Sequence, residues 1–97
     1  MKSKKISYIP ILESPENVFS SFDLGMSAAL ESIGFKILHI DKKNRSKALF
    51  LFENSDEIVE AAQSYWRKEL SIDALTYFEC MKKIKNQLYS SWYEAER

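Results

Sequence analysis

The chain has 97 residues, with 14 lysines and arginines against 14 aspartates and glutamates, 45% hydrophobic residues and 29% charged ones. That length is one domain, able to bury roughly two-thirds of its unfolded surface in a single core without metals or disulfides. Cancelling charges exclude a whole-molecule field toward nucleic acid or an anionic membrane, so any such binding has to come from local patches. Cys80 is the single cysteine, which excludes an internal disulfide.

Residues 1–16 read as an N-terminal arm ahead of a single domain over 17–97. In the arm Lys2, Lys4 and Lys5 precede a short apolar run, Ile6, Tyr8, Ile9, Ile11 and Leu12, which is interrupted by Pro10 and followed by Glu13 and Glu16. The run is too short to span a bilayer and has no small-residue cleavage site, so a cytoplasmic protein is expected. Ile6, Tyr8 and Pro10 fit an edge strand, where proline is tolerated and lysines discourage further pairing. Ser14-Pro15-Glu16 is a breaker, and Asn17-Val18-Phe19 is a short β-prone lead into the next element.

Residues 20–34 form the segment around which the chain is expected to pack. Ser20 is the expected N-cap with Asp23 at N3, a variant capping box, and Phe19 and Leu24 occupy the positions of a hydrophobic staple. Gly34 is the residue expected just past the last turn. Phe22, Met26, Ala29, Leu30 and Ile33 share a face at helical period, which predicts a sheet beneath it. Gly25, Ala28, Ala29 and Ser32 form a neighbouring stripe of small residues, which predicts close approach of another helix.

Residues 35–41 and 47–53 predict two strands of an antiparallel hairpin around a polar loop, 42–46, in which Asn44 can adopt a left-handed conformation. Ala48-Leu49-Phe50-Leu51-Phe52 is apolar on both alternating faces, as in a central strand covered on both sides or in contact with a partner. His39 alternates in phase with Phe35 and Ile37 and is expected to be partly buried. Asn54 or Ser55 caps the next helix, whose core stripe is expected to be Val59, Ala62, Trp66 and Leu70 with Ile58 and Tyr65 on the shoulder, and with Arg67 and Lys68 in its last turn. Asp73 caps a third helix with the stripe Tyr77, Met81, Ile84, Leu88 and Trp92. The expected fold class is α+β: one compact domain in the order β-α-β-β-α-α, a small antiparallel sheet with three helices.

Three stretches carry a resemblance: Asp23-Leu24-Gly25-Met26-Ser27-Ala28-Ala29-Leu30 with Gly34-Phe35, then Leu49-Phe50-Leu51-Phe52-Glu53, then Tyr65-Trp66 with Glu69-Leu70 and Asp73. Over about residues 17–90 the chain resembles a small bacterial and phage family known only as a domain of unknown function. It departs from that pattern at Ser27, where an alanine is usual, and at Arg67-Lys68, where Asn and Gly are usual. The resemblance implies a fold and no activity.

The chemistry on offer is narrow. One histidine and one cysteine cannot supply a four-ligand zinc site without carboxylates, so no metal is expected. Gly25 and Gly34 are the only glycines and both have helix roles, which leaves no phosphate-cradling loop. A nucleophile would need Cys80 or a serine beside His39. No enzyme, no cofactor and no small-molecule substrate are expected.

Nucleic acid is the favoured partner. Lys42, Lys43, Arg45 and Lys47 gather at the hairpin tip, and Lys82, Lys85, Tyr89 and Trp92 share a shoulder of the third helix. Lysines beside stackable aromatics suit single strands. The bland alternative is a solvated tip plus lysine stems lying over apolar surface. A second class is protein binding through Tyr65, Arg67, Trp92 and Tyr93, because the four aromatics Tyr65, Trp66, Trp92 and Tyr93 exceed what so small a core absorbs. Homodimerisation or docking on another protein would follow. The expected function is a non-catalytic accessory module contacting nucleic acid or nucleic-acid-handling machinery, with a small inhibitor or adaptor acting by protein–protein binding as the alternative.

Overall fold

A computed structural model describes the backbone of residues 15–44 and 46–95 and the side chains of 16–44 and 46–89. The arm strand expected around Ile6, Tyr8 and Pro10 lies outside the described residues. A short 3-10 turn, Pro15–Asn17, leads into β1 (Val18–Ser21), α1 (Leu24–Ser32), β2 (Ile37–Asp41), β3 (Leu49–Glu53), α2 (Asp56–Trp66) and α3 (Ala74–Ala95). The order is the expected β-α-β-β-α-α in one α+β unit. The sheet runs β1-β3-β2 with both pairings antiparallel, so β3 is central as its apolar sequence predicts.

Residues paired across an antiparallel ladder share a face. Phe19 opposite Phe52, Ser21 opposite Phe50, Ile37 opposite Phe52 and Ile40 opposite Phe50 therefore make the inner face. Phe50 and Phe52 are fully buried there with Met26, Leu30, Ile58, Ile84 and Leu88 from the three helices. Phe19 meets Phe52 edge to face, ring centres 6.2 Å apart. Leu49 and Leu51 are half-buried on the other side and do not join that core. The expectation that β3 is covered on both faces is thus corrected for the described residues.

A β-bulge decides the position of His39. The β2 register jumps between Ile37 and His39, leaving Leu38 as the extra residue. A one-residue slip exchanges the faces of a strand. Ile37 and Ile40 therefore both pack on the core, whereas His39 pairs with Leu51 on the outer face and is exposed. The loop after β2 is held by side chains. Asp41 Oδ1 accepts from Lys43 N at 3.0 Å, and Asn44 Oδ1 accepts from Ser46 N at 2.9 Å. Asn44 takes no left-handed conformation; its side chain makes the turn instead.

The start of α1 also differs from expectation. Ser20 lies in β1 opposite Leu51, and Asp23 is the N-cap, its Oδ1 accepting from Met26 N at 2.7 Å. Pairing with β3 claims residues 18–21, which pushes the helix start three positions on. Phe22 consequently falls in the connection, exposed, with Lys47 Nζ 4.8 Å from its ring centre. Phe19 packs on Phe52 instead of serving as a staple. Met26, Ala29 and Leu30 keep the predicted buried stripe, and Ile33, at the C-cap, is exposed.

Gly34 ends α1 as predicted. Its N–H donates to Glu31 O at 3.1 Å and the Phe35 N–H to Leu30 O at 3.1 Å, the pair of bonds that defines a Schellman motif. Its φ of +114° is available to glycine without strain. At α2 the same motif recurs with no glycine. Lys68 N donates to Tyr65 O at 3.0 Å and Glu69 N to Ser64 O at 2.9 Å, and Lys68 carries φ +65°. Lys68→Gly should therefore stabilise the fold by about 0.5–1 kcal/mol, the left-handed strain relieved exceeding the added unfolded-state entropy. A denaturant titration showing no gain would mean that the lysine side chain contributes what the backbone loses.

α2 is capped by Ser55, whose Oγ accepts from Ile58 N at 3.1 Å, with Asp56 and Glu57 in the first turn. Its buried face is Ile58, Ala61 and Ala62 with Tyr65 half-buried, whereas Val59 and Trp66 are exposed. The predicted stripe of Val59, Ala62 and Trp66 is thus rotated by one position, because α2 must face α1 and the sheet together. The helix ends at Trp66, so Arg67 is the C-cap and lies outside the last turn. Asp73 Oδ2 accepts from Thr76 N at 2.9 Å and from its hydroxyl at 2.8 Å, which caps α3 as predicted. Ile84 and Leu88 are buried along α3, with Tyr77, Cys80 and Met81 half-buried against the core.

Candidate binding surface

The three helices meet at Gly25. A Cβ added there would lie 2.9 Å from the Tyr65 hydroxyl, 3.4 Å from Asp23 Oδ1 and 3.5 Å from the Tyr77 hydroxyl. The missing side chain is what lets tyrosines from α2 and α3 converge on the start of α1. Burial first, then the neighbouring Asp23 and Tyr77, push the Tyr65 hydroxyl above its ordinary pKa. Tyr65, expected at a protein interface, is therefore mostly spent on packing. Trp66 stands edge-on to it, ring centres 5.1 Å apart, and is 60% exposed.

Arg67, also expected at that interface, is held within its own segment. Its Nε donates to Glu69 Oε1 at 2.9 Å, and its Nη2 lies 3.4 Å from Glu60 Oε2. Both contacts are exposed, so they orient the guanidinium more than they stabilise the fold. The side chains of Trp92 and Tyr93 and all of Arg45 lie outside the described residues.

At the hairpin tip Lys43 and Lys47 are exposed and Lys42 is half-buried, next to the start of α1 through the Lys47–Phe22 contact. The α3 shoulder starts near the same end, since Tyr77 reaches Gly25, and then runs away from it. Lys83 Nζ meets Glu31 Oε2 at 3.0 Å near the far end of α1, and Lys85 and Tyr89 lie further on. The two lysine groups consequently do not form one patch.

What α3 does present is a continuous exposed stripe. Leu75 is 64% exposed, Phe78 56% and Tyr89 57%. Lys82 Nζ stands 5.2 Å from the Phe78 ring centre, and Lys85 is exposed between Lys82 and Tyr89. Phe78, Lys82, Lys85 and Tyr89 follow a 4-3-4 spacing on one flank, a line about 16 Å long. Phe78 and Leu75 were missing from the sequence-derived candidates. Phe78 was legible in principle, since it sits one position off the core stripe and in register with the two lysines.

A polar cluster sits where α1 meets α3 on the opposite flank. Ser27 is fully buried, and its Oγ has no hydrogen-bond partner among the described residues; Glu31 Oε1 is likewise buried and unpartnered. Burial first, and then the Glu31 carboxylate, push the Cys80 thiol up, away from thiolate chemistry. Cys80 packs on the core side of the sheet and His39 is on the other, so the two do not pair. Ser27→Ala should raise stability by about 1–2 kcal/mol, since an unpaired hydroxyl leaves the interior and helix propensity improves. A loss on thermal unfolding would show that the hydroxyl is satisfied in solution.

Among the described residues no group of three or more His, Cys, Asp or Glu side chains could hold a metal ion, and no helix is long and apolar enough to cross a membrane. A three-stranded antiparallel sheet backed on one face by three helices, with an aromatic and lysine stripe on the last helix, places the protein among small α+β domains. Residues 16–90 match the family model described as a domain of unknown function, DUF5659, and the chain belongs to that family. The match begins at Glu16, whose carbonyl accepts from Asn54 Nδ2 at 3.0 Å, where the chain first joins the sheet. Neither a curated protein nor a solved structure matches the chain.

Proposed function

We propose that this protein is a non-catalytic accessory module that contacts single-stranded nucleic acid through α3, acting in the cytoplasm. The observation that carries this reading is the exposed stripe Phe78–Lys82–Lys85–Tyr89, two aromatics bracketing two lysines along one helix flank. Rings accept base stacking regardless of sequence and lysines track the phosphates, the combination used by single-strand binders. With only two cations on the line, affinity is weak and salt-dependent. The hairpin lysines supply a separate electrostatic contact.

Fluorescence anisotropy with a labelled oligothymidine at low salt tests the reading. Phe78→Ala and Tyr89→Ala should each weaken binding by about 1–3 kcal/mol. Removing Lys82 and Lys85 together should flatten the logarithmic salt slope by about 1.4, or ~0.7 per lost phosphate contact on a single strand. Absence of binding at micromolar protein in low salt would end it.

The second reading is an inhibitor or adaptor that binds only protein. It is favoured by Trp66 and Leu75, whose exposed apolar surface has no phosphate to meet. Such an interface persists in salt, which separates the two.

A further inference from the structure

Two helices expose matching lines of side chains on the flanks turned away from the core. On α2 these are Asp56, Val59, Gln63 and Trp66, and on α3 they are Leu75, Phe78, Lys82 and Lys85, all exposed. Each line keeps the 3-4-3 spacing of a coiled-coil seam, and each is about 15 Å long. Ile58, Ala61 and Ala62 of α2 and Ile84 and Leu88 of α3 take the opposite sides, into the core.

The two flanks carry opposite charges. Asp56, Glu57 and Glu60 stand exposed along the start of α2, whereas Lys82 and Lys85 stand on the α3 line, with Glu79 one row over. A chain of zero net charge thus holds an acidic helix flank and a basic one.

We infer that the α3 line is a docking surface for the α2 line of a second copy of this chain. Packing α3 on α3 sets lysine against lysine, and packing α2 on α2 sets acid against acid, which costs free energy in either case. Only α2 on α3 joins opposite charges. The apolar residues then fix the direction. Laid antiparallel, Trp66 meets Leu75 and Phe78 at one end, while Asp56 and Glu60 meet Lys85 and Lys82 at the other. Val59 lies over the Lys82 stem, whose charged head stays at the rim. The parallel alternative presses the Asp56 carboxylate onto Leu75 without a partner, which is unfavourable. A contact built on one short helix pair is small, so the association is weak. The inference does not rest on the nucleic-acid reading, although both use the same flank, because self-association is measured with no nucleic acid present.

Sedimentation velocity of the full chain alone, at low salt and up to about millimolar concentration, tests it. The sedimentation coefficient should rise with concentration, and Trp66→Ala should weaken association by about tenfold or more. Lys82→Glu with Lys85→Glu should stay monomeric, as should Asp56→Lys with Glu60→Lys, each with helices intact by circular dichroism. An equimolar mixture of the two charge-reversed variants should associate, since each flank then meets its complement on the other chain. Three results would overturn the inference. These are a monomer at every concentration of the unmodified chain, association that survives in either charge-reversed variant, and a mixture of the two that stays monomeric.

Discussion

Phe52→Ala is expected to lower the free energy of unfolding by about 3–5 kcal/mol. The ring is fully buried on β3, the central strand, opposite both Phe19 and Ile37, and it meets Phe19 edge to face. Truncation leaves a cavity bounded by two strands and the helix layer. A strand paired on both sides cannot move inward to fill that space, so both the transfer loss and the cavity term are expected in full. Against a whole stability on the order of 5–15 kcal/mol, such a loss leaves a marginal domain. In a denaturant titration the midpoint should fall with the slope unchanged. A loss under about 1 kcal/mol would mean that the core repacks around the gap, contrary to close packing.

Ala28→Leu comes next, at about 1–3 kcal/mol of destabilisation by overpacking. Ala28 and Ala29 have no exposed surface, and α1 packs on α3 more extensively than on α2. Extra methylenes at Ala28 have nowhere to go unless α1 moves away from its neighbours. That shift would also disturb the Tyr65 and Tyr77 hydroxyls at Gly25, which depend on the same close approach. Thermal unfolding should report a drop of about 4–8 °C for each kcal/mol lost in a domain of this size. An unchanged midpoint would place the Ala28 methyl against a space large enough for leucine.

Much of the fold was legible because the signals are local. Ser55, Asp73 and Gly34 act at the ends of their own helices, through bonds to groups three to five residues away, so the sequence neighbourhood contains both partners. The centrality of β3 was legible from the unbroken apolar run of residues 48–52, although Leu49 and Leu51 do not join the core that buries Phe50 and Phe52. The positions flagged as departures from the family resemblance, Ser27 and Lys68, are a buried unpartnered hydroxyl and a left-handed lysine. The candidate surface was less legible. Lys82, Lys85 and Tyr89 were named, but Phe78 was missed, because deciding which flank of α3 is wet requires knowing where α1 sits.

Sequence by itself determined the order of elements, the stop of α1 at Gly34 and the central strand, since propensity, capping and periodicity act within a few residues. Tertiary structure alone decided where pairing overrides them. β1 took Ser20 from the helix because β3 offered it a ladder partner, leaving Asp23 as the cap. The Leu38 bulge sent His39 outward, and the need to face α1 and the sheet at once turned α2 toward Ile58 and Ala61. In each case the deciding contact comes from a distant part of the chain, whose position no local pattern encodes.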